Sequence, residues 1–136
     1  MTLTDAGPLI ALIDAGEPDH ERCKELLTEI QLPLLTTWPA FTEAMYLLGR
    51  ADGWRGQEAL WRILLRGDLL IAEATPESHR RAFELMRRYA DRPMDLADAT
   101  LVALAEERAI TRIFTLDDDF HIYRLKGRRR FDVVPA

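Results

Sequence analysis

The sequence predicts an α/β fold, a three-layer α/β/α sandwich with a mainly parallel central sheet. Short apolar runs typical of buried strands alternate along the chain with longer segments of helical periodicity, and this alternation is typical of parallel sheets. The 136 residues are 48% hydrophobic and 30% charged, a balance that favours a folded chain. We therefore expect a single domain over residues 1–136.

The chain begins with a short strand followed by helical segments. An apolar strand ends near Asp5, and Pro8 opens an apolar turn or helix that ends at Gly16. A second helix follows Pro18, where apolar residues recur at helical spacing. The run "LPLLTT", Leu32–Thr37, is typical of a short buried strand.

The middle of the chain contains two helices and a strand. Trp38-Pro39 is a helix start, and this helix runs toward Gly49–Gly53. A further helix is predicted over Trp54–Arg66. The run "DLLIAE", Asp68–Glu73, is the next strand candidate.

The last third has clear helix starts. Thr75-Pro76-Glu77 supplies a cap, a proline in the first position and an acid in the first turn, and the helix reaches about Tyr89. Asp95 begins the next helix, which runs to about Arg108. The runs "RIFTL" and "FDVV" are the final strands.

Composition restricts the functional class. The net charge of −5 argues against a chain built as a whole to bind polyanions, and the single Cys23 excludes an internal disulfide. No apolar run reaches the length of about 18 residues that a membrane span needs, and the first residues lack a signal-peptide pattern. We expect a cytoplasmic protein with no membrane partner.

Four acids lie at unusual places. Asp5 and Asp117 each follow an apolar strand, and Asp117 opens the run Asp117–Asp119. Glu43 and Asp98 share a helix face with apolar residues. Each has an ordinary alternative: a turn or cap for Asp5, a solvent-reaching or paired side chain for Glu43, a first-turn acid for Asp98 after the cap Asp95, and a solvated loop for Asp117.

Together, the four acids predict a metal site. Strand ends and helix starts meet in one cleft of an open α/β sheet, and carboxylates gathered there repel each other unless a cation binds. Oxygen ligands select hard ions such as Mg²⁺ or Mn²⁺. The three histidines are scattered, so no zinc cluster is expected.

Four segments in order resemble the PIN domain family, the metal-dependent ribonuclease fold that includes VapC-type toxins. They are "LTDAGPLIALID", "TTWPAFTEAMYLL", "MDLADATLVALAEE" and "IFTLDDDF". The resemblance implies a Mg²⁺- or Mn²⁺-dependent endoribonuclease that hydrolyses RNA phosphodiester bonds. It further implies the toxin of a type II toxin–antitoxin pair, with an antitoxin protein and a second copy of the chain as partners.

The resemblance also assigns catalytic and metal-binding roles. It places the family acids on Asp5, Glu43, Asp98 and Asp117, with Asp119 as an alternative to Asp117. Thr115 matches a Ser or Thr that the family often places there to support the site, and its hydroxyl is suited to hold either a water molecule or a carboxylate. The chain departs from many members at Ala6-Gly7, where a Ser or Thr often follows the first acid, and this departure removes one possible hydroxyl contact.

Basic residues are needed beside the acids if RNA is to bind. The candidates are Arg80, Arg81, Arg124, Lys126, Arg128 and Arg129, with Tyr123 and Phe131 as possible base-stacking rings. The alternatives are a solvated helix face for the first two and protection of an exposed strand edge for the others.

Two other functions remain open. A PIN-like module that binds RNA or a protein without cleaving it is favoured slightly by Ala6-Gly7 and disfavoured by the four acids. A phosphoacceptor receiver domain normally needs a second acid beside the first and a lysine after a late strand. Asp5 has no paired acid, and neither Lys24 nor Lys126 follows a suitable strand.

Overall fold

The computed structural model describes residues 1–136 and contains a five-stranded sheet. Its strands are β1 (Thr2–Thr4), β2 (Leu34–Thr37), β3 (Leu69–Ala72), β4 (Arg112–Phe114) and β7 (Asp132–Val134), and a separate hairpin is formed by β5 (Arg124–Leu125) and β6 (Arg129–Arg130). The strand order is β3-β2-β1-β4-β7, and every neighbouring pair is parallel. The predicted parallel sheet is therefore confirmed.

Five α-helices flank the sheet. They are α1 (Ala6–Ile13), α2 (His20–Leu27), α3 (Trp38–Leu65), α4 (Pro76–Arg88) and α5 (Leu96–Arg108), and a short 3₁₀ helix covers Asp118–His121. None of the helices combines the length and the apolar composition that a membrane span requires.

Two hydrophobic cores lie on opposite faces of the sheet. Neighbouring residues of β2 separate between them, because successive side chains of a strand point to opposite faces. Leu34 packs with residues of α1, α2 and α3 in one core, and Leu35 packs with residues of α4 and α5 in the other. This arrangement is the predicted three-layer sandwich.

Side-chain caps explain where the helices begin. Thr75 and Ser78 form a capping box at α4, and Asp95 caps α5, both at the predicted places. Helix α1 begins earlier than expected, since Asp5 caps it and Pro8 lies inside its first turn, where a proline needs no N–H partner. Helix α2 begins at His20, two residues after Pro18.

Helix α3 contains the two predicted helices in direct succession, joined at Gly53. The φ of 59° and ψ of −150° at Gly53 interrupt the helix and suit a glycine. The two halves then approach closely, because Gln57 Nε2 donates to the Met45 carbonyl at 3.3 Å. A Cβ at Gly49 would lie 2.5 Å from that nitrogen, so the corner requires a small residue there.

The sheet changes direction beside its first strand. From the central β1 the chain proceeds to β2 and β3 on one side and to β4 and β7 on the other. Ligands of open α/β sheets bind beyond the carboxyl ends of the strands at such a switch point. Asp5 follows β1 and Asp117 lies three residues beyond β4, so both belong to this region.

Candidate metal centre

Three carboxylates converge at the switch point. One oxygen from each of Asp5, Asp98 and Asp117 lies within 4.8 Å of the others. Asp5 comes from the end of β1, Asp98 from the first turn of α5, and Asp117 from the loop after β4. Residues more than 110 positions apart in the chain therefore meet because the two strands are neighbours.

Asp5 is held by two hydrogen bonds. Its Oδ1 accepts from the backbone N–H of Ala6 at 2.8 Å, and its Oδ2 accepts from the hydroxyl of Thr115 at 3.0 Å. Thr115 is buried and is fixed through its own N–H, which donates to the Val134 carbonyl of the neighbouring strand. The Thr115 hydroxyl thus contacts a carboxylate, which is one of the two roles that the resemblance left open for it.

Thr115 also positions Asp117. The backbone N–H of Asp117 donates to the Thr115 hydroxyl oxygen at 3.0 Å, and Asp117 Oδ1 accepts from the N–H of Asp119 at 2.9 Å. Asp117 in this way caps the short 3₁₀ helix that follows. One threonine therefore joins two of the three acids.

Asp98 is buried between α5 and the segment after the 3₁₀ helix. Its backbone N–H donates to Asp95 Oδ1 at 2.8 Å, as expected after a helix cap. Its side-chain Oδ2 accepts from the hydroxyl of Tyr123 at 2.9 Å. Both Asp98 and Tyr123 are almost fully removed from solvent.

Glu43 faces the same site without joining the closest cluster. A cavity of about 250 Å³ is lined by the three acids, Glu43 and Asp95 together with Ala6, Gly7, Ile10, Leu47 and Leu116. Glu43 is half-buried on α3 and is not among the three residues whose oxygens approach within 4.8 Å. Five carboxylates therefore face one small cavity.

The electrostatics of the cavity penalise negative charge. Burial, followed by the charges of Asp5 and Asp95, raises the pKa of Asp98 to about 8. Burial likewise raises the pKa of Asp5, although its hydrogen-bond donors oppose this effect. Burial and the charges of Asp5, Asp95 and Asp117 also raise the pKa of Glu43.

Asp119 is directed elsewhere. It does not line the cavity, and its carboxylate accepts from Arg92 Nη2 at 3.3 Å. The geometry therefore favours Asp117 over Asp119 as the fourth predicted acid. Arg92, which the sequence did not single out, is brought close to the site by this ion pair.

The predicted RNA-binding residues occupy two kinds of environment. Arg80, Lys126, Arg128 and Arg129 are exposed. Arg81 instead contacts Glu106 through two hydrogen bonds of 2.6 and 3.0 Å. The Nη1 of Arg124 donates to three backbone carbonyls, at 2.7, 2.9 and 3.1 Å. The polar groups of Arg81 and Arg124 are therefore engaged in contacts within the protein.

The expectation that Tyr123 and Phe131 stack on bases is wrong. Tyr123 is 1% exposed and Phe131 is 8% exposed, because both rings pack against Phe120 in the core.

The sequence also assigned Asp95 mainly to capping. Its side chain caps α5 and lines the cavity as well, a second role that a capping pattern conceals.

The donor set fits a hard divalent cation. All five cavity-facing ionisable groups are carboxylates, no histidine or cysteine lies among them, and none forms an ion pair with a basic side chain. Oxygen donors are the ligands that Mg²⁺, Mn²⁺ and Ca²⁺ prefer. A cation would also remove the charge repulsion that the fold leaves uncompensated.

Sequence comparison places these features in a family. A PIN domain model matches residues 2–126. The ribonuclease VapC26 of Mycobacterium tuberculosis is 30% identical over 134 residues, which is 98% of this chain and 99% of that protein. Both matches span the acids of the cavity.

Two solved structures share the fold. VapC20 of Mycobacterium tuberculosis, a toxin that cleaves the sarcin–ricin loop, superposes with a TM-score of 0.81 and 24% identity over 88% of this chain and 92% of that one. A toxin–antitoxin complex from Klebsiella pneumoniae contains a chain with a TM-score of 0.65 and 20% identity, covering 87% and 88% of the two chains.

Proposed function

Because the chain belongs to the PIN domain family, we propose that it is a divalent-metal-dependent endoribonuclease, the toxin of a toxin–antitoxin pair. The observation that carries the proposal is the cluster of Asp5, Asp98 and Asp117, whose oxygens lie within 4.8 Å of one another without a cationic side chain. The full-length similarity to a VapC ribonuclease supports the same reaction, hydrolysis of RNA phosphodiester bonds.

The metal ligands in this proposal are Asp5, Asp98 and Asp117. When bound, Mg²⁺ or Mn²⁺ supplies Lewis-acid chemistry that activates water and offsets charge on the phosphate. Glu43, at the cavity wall, would help to hold the ion or would orient the attacking water. Thr115 keeps Asp5 and Asp117 in place through its two hydrogen bonds.

Phosphate binding requires cations near these acids. Arg92 lies near them, because it pairs with Asp119 two residues beyond Asp117. The exposed Arg80, Lys126, Arg128 and Arg129 extend the positive surface along α4 and the β5–β6 hairpin. Arg81 and Arg124 contribute less in this proposal, since their polar groups are engaged within the chain.

The test is cleavage of mixed structured RNAs in Mn²⁺ or Mg²⁺, compared with EDTA and with Asp98→Asn. We expect metal-dependent cleavage that the substitution reduces by at least about 100-fold, since it removes a charged ligand. No cleavage of any RNA by the wild type would favour a binding module instead. Cleavage that survives Asp98→Asn would refute the proposed site.

A homodimer is proposed across the face formed by α4 and the starts of α3 and α5. Here a cavity of about 480 Å³ is bordered by the exposed apolar side chains of Trp38, Phe83, Met86 and Leu96. Exposed apolar patches of this kind commonly mark interfaces, and a symmetric pair would cover the same patch twice. Phe83→Glu should convert a dimer to a monomer in analytical ultracentrifugation. A wild-type monomer would refute the dimer.

An antitoxin protein and a cytoplasmic location complete the proposal. They are supported by the family and by the toxin–antitoxin complex among the structural relatives. Expression of the wild type alone should arrest bacterial growth, whereas Asp98→Asn should not. Relief of the arrest by the product of a neighbouring gene would identify the antitoxin. Growth without arrest would argue against a toxin.

A further inference from the structure

Tyr123 makes the one side-chain hydrogen bond to Asp98. Its hydroxyl donates to Asp98 Oδ2 at 2.9 Å. We propose that Tyr123 is a positioning residue that fixes the Asp98 carboxylate and thereby sets the metal affinity of the site, an inference that rests on the metal site of the proposed function. The hydroxyl acts through Asp98 and does not itself face the cavity.

The two carboxylate oxygens of Asp98 have different surroundings. Oδ2 is committed to Tyr123, whereas Oδ1 has no partner within the chain. No fully buried side-chain oxygen of the protein lacks a partner, so Oδ1 must be open to the cavity that Asp98 lines. A carboxylate anchored at one oxygen presents the other in a constant direction, which is how outer hydrogen bonds tune metal ligands.

The tyrosine ring cannot easily turn away. Tyr123 is 1% exposed, and its ring meets Phe120 edge-on at 5.2 Å and Tyr89 edge-on at 5.1 Å between centroids. Such T-shaped contacts restrict ring orientation as well as stabilise the core. The direction of the hydroxyl is therefore determined by core packing.

The backbone beyond Tyr123 is anchored to the helices. The N–H of Arg124 donates to the Tyr89 hydroxyl at 3.2 Å, and the N–H of Lys126 donates to Glu106. Glu106 is itself bound by Arg81 through two hydrogen bonds. Glu106 and Asp98 both lie on α5, about 12 Å apart along the helix. The segment is therefore attached to α5 at two points, through Tyr123 to Asp98 and through Lys126 to Glu106.

A role limited to filling space does not account for the hydroxyl. Phenylalanine would fill the same position in the aromatic cluster without needing a hydrogen-bond partner. The hydroxyl finds its partner in a carboxylate of the metal cluster. Thr115 gives Asp5 the equivalent support, so each of the two most buried acids receives one hydroxyl donor.

The test compares Tyr123→Phe with Tyr89→Phe. Each substitution removes one hydroxyl from the same aromatic cluster, but the Tyr89 hydroxyl contacts the Arg124 backbone and no cavity acid. In calorimetric titration with Mn²⁺, Tyr123→Phe should raise the Kd about 10- to 100-fold, the usual loss for an outer hydrogen bond. Tyr89→Phe should leave the Kd within about threefold of wild type, because it keeps the Tyr123–Asp98 hydrogen bond, the contact between the two rings and the Lys126–Glu106 anchor.

Two further measurements separate positioning from folding. RNA cleavage by Tyr123→Phe should recover toward the wild-type rate when Mn²⁺ is raised to saturation, and circular dichroism should show an unchanged fold. Phe120→Leu keeps the Tyr123 hydroxyl but loosens its ring, and it should raise the Mn²⁺ Kd by a smaller factor. If Tyr123→Phe does not fold, the Mn²⁺ Kd of Phe120→Leu tests the proposal instead.

Equal Mn²⁺ affinity of Tyr123→Phe and wild type would overturn the positioning role while leaving the metal site intact. Equal weakening by Tyr89→Phe would overturn it too, because the effect would then belong to the aromatic cluster. Absence of Mn²⁺ binding by the wild type would overturn the proposed metal site and the inference with it.

Discussion

The metal-free protein should become more stable when one of its predicted ligands is removed. Burial and neighbouring negative charge raise the pKa of Asp98 to about 8, from an ordinary 3.8. At pH 7 this carboxyl must therefore take up a proton when the chain folds. Asp98→Asn removes that requirement, and its amide keeps an oxygen that can accept from the Tyr123 hydroxyl.

The magnitude follows from the two pKa values. Proton uptake costs about 1.4 kcal/mol for each of the roughly three pH units between the unfolded pKa and pH 7, or about 4 kcal/mol in total. Because Asp5 shares the same repulsion, we expect a gain in the free energy of unfolding of about 2 to 4 kcal/mol. For a chain of this length that corresponds to a Tm increase of about 6 to 15 °C.

The pH dependence has a definite sign. A carboxyl whose folded pKa is raised destabilises the fold only above its unfolded pKa, and the penalty grows until the folded pKa is reached. The contribution of Asp98 to the Tm of the wild type in EDTA should thus fall as pH rises from about 4 to 8. The advantage of Asp98→Asn should be absent near pH 4 and largest near pH 8.

Differential scanning calorimetry in EDTA measures this effect, with Asp118→Asn as the control. Asp118 is an exposed neighbouring acid that does not line the cavity, so its substitution should change the Tm by less than about 2 °C. Added Mn²⁺ should stabilise the wild type and not Asp98→Asn. A lower Tm for Asp98→Asn in EDTA at pH 7 would refute the reasoning.

Three other substitutions test the supporting structure. Thr115→Val removes the hydroxyl donor to Asp5 and should weaken Mn²⁺ binding about 10- to 100-fold in calorimetric titration; unchanged affinity would show that the hydroxyl is dispensable. Glu106→Gln leaves Arg81 without its bidentate partner and should cost about 2 to 4 kcal/mol in urea unfolding, with a loss below 1 kcal/mol counting against the pair. Gly53→Ala meets no neighbouring atom, so its expected cost of about 1 to 3 kcal/mol in the same assay reflects backbone strain alone, and a neutral result would contradict that strain.

The acids of the site were predictable because their positions break a local pattern. Asp5 and Asp117 follow the ends of apolar strands, and Glu43 and Asp98 interrupt apolar helix faces. Both patterns can be recognised in the sequence alone. The parallel sheet explains why Asp5 and Asp117, which follow neighbouring strands, should lie close together. The assignment of roles to the individual acids remains a prediction.

Other features of the site depend on contacts between distant elements, which periodicity does not contain. The hydrogen bond from Tyr123 to Asp98 requires the chain to turn through a 3₁₀ helix and return to α5. The internal use of Arg81 depends on Glu106, 25 residues away. An exposed arginine and an engaged one look alike in a sequence, so the basic residues were the least predictable group.

The pairing of β1 with β4 has a consequence for synthesis of the protein. Leu3 pairs with Ile113, and the Thr115 hydroxyl reaches Asp5 across 110 residues of chain. A ribosome adding about 5 to 20 residues per second needs roughly 5 to 20 seconds to cover that interval. Until then the nascent chain has no assembled acid cluster. A nuclease that depends on this cluster therefore stays inactive until nearly the whole polypeptide has been made.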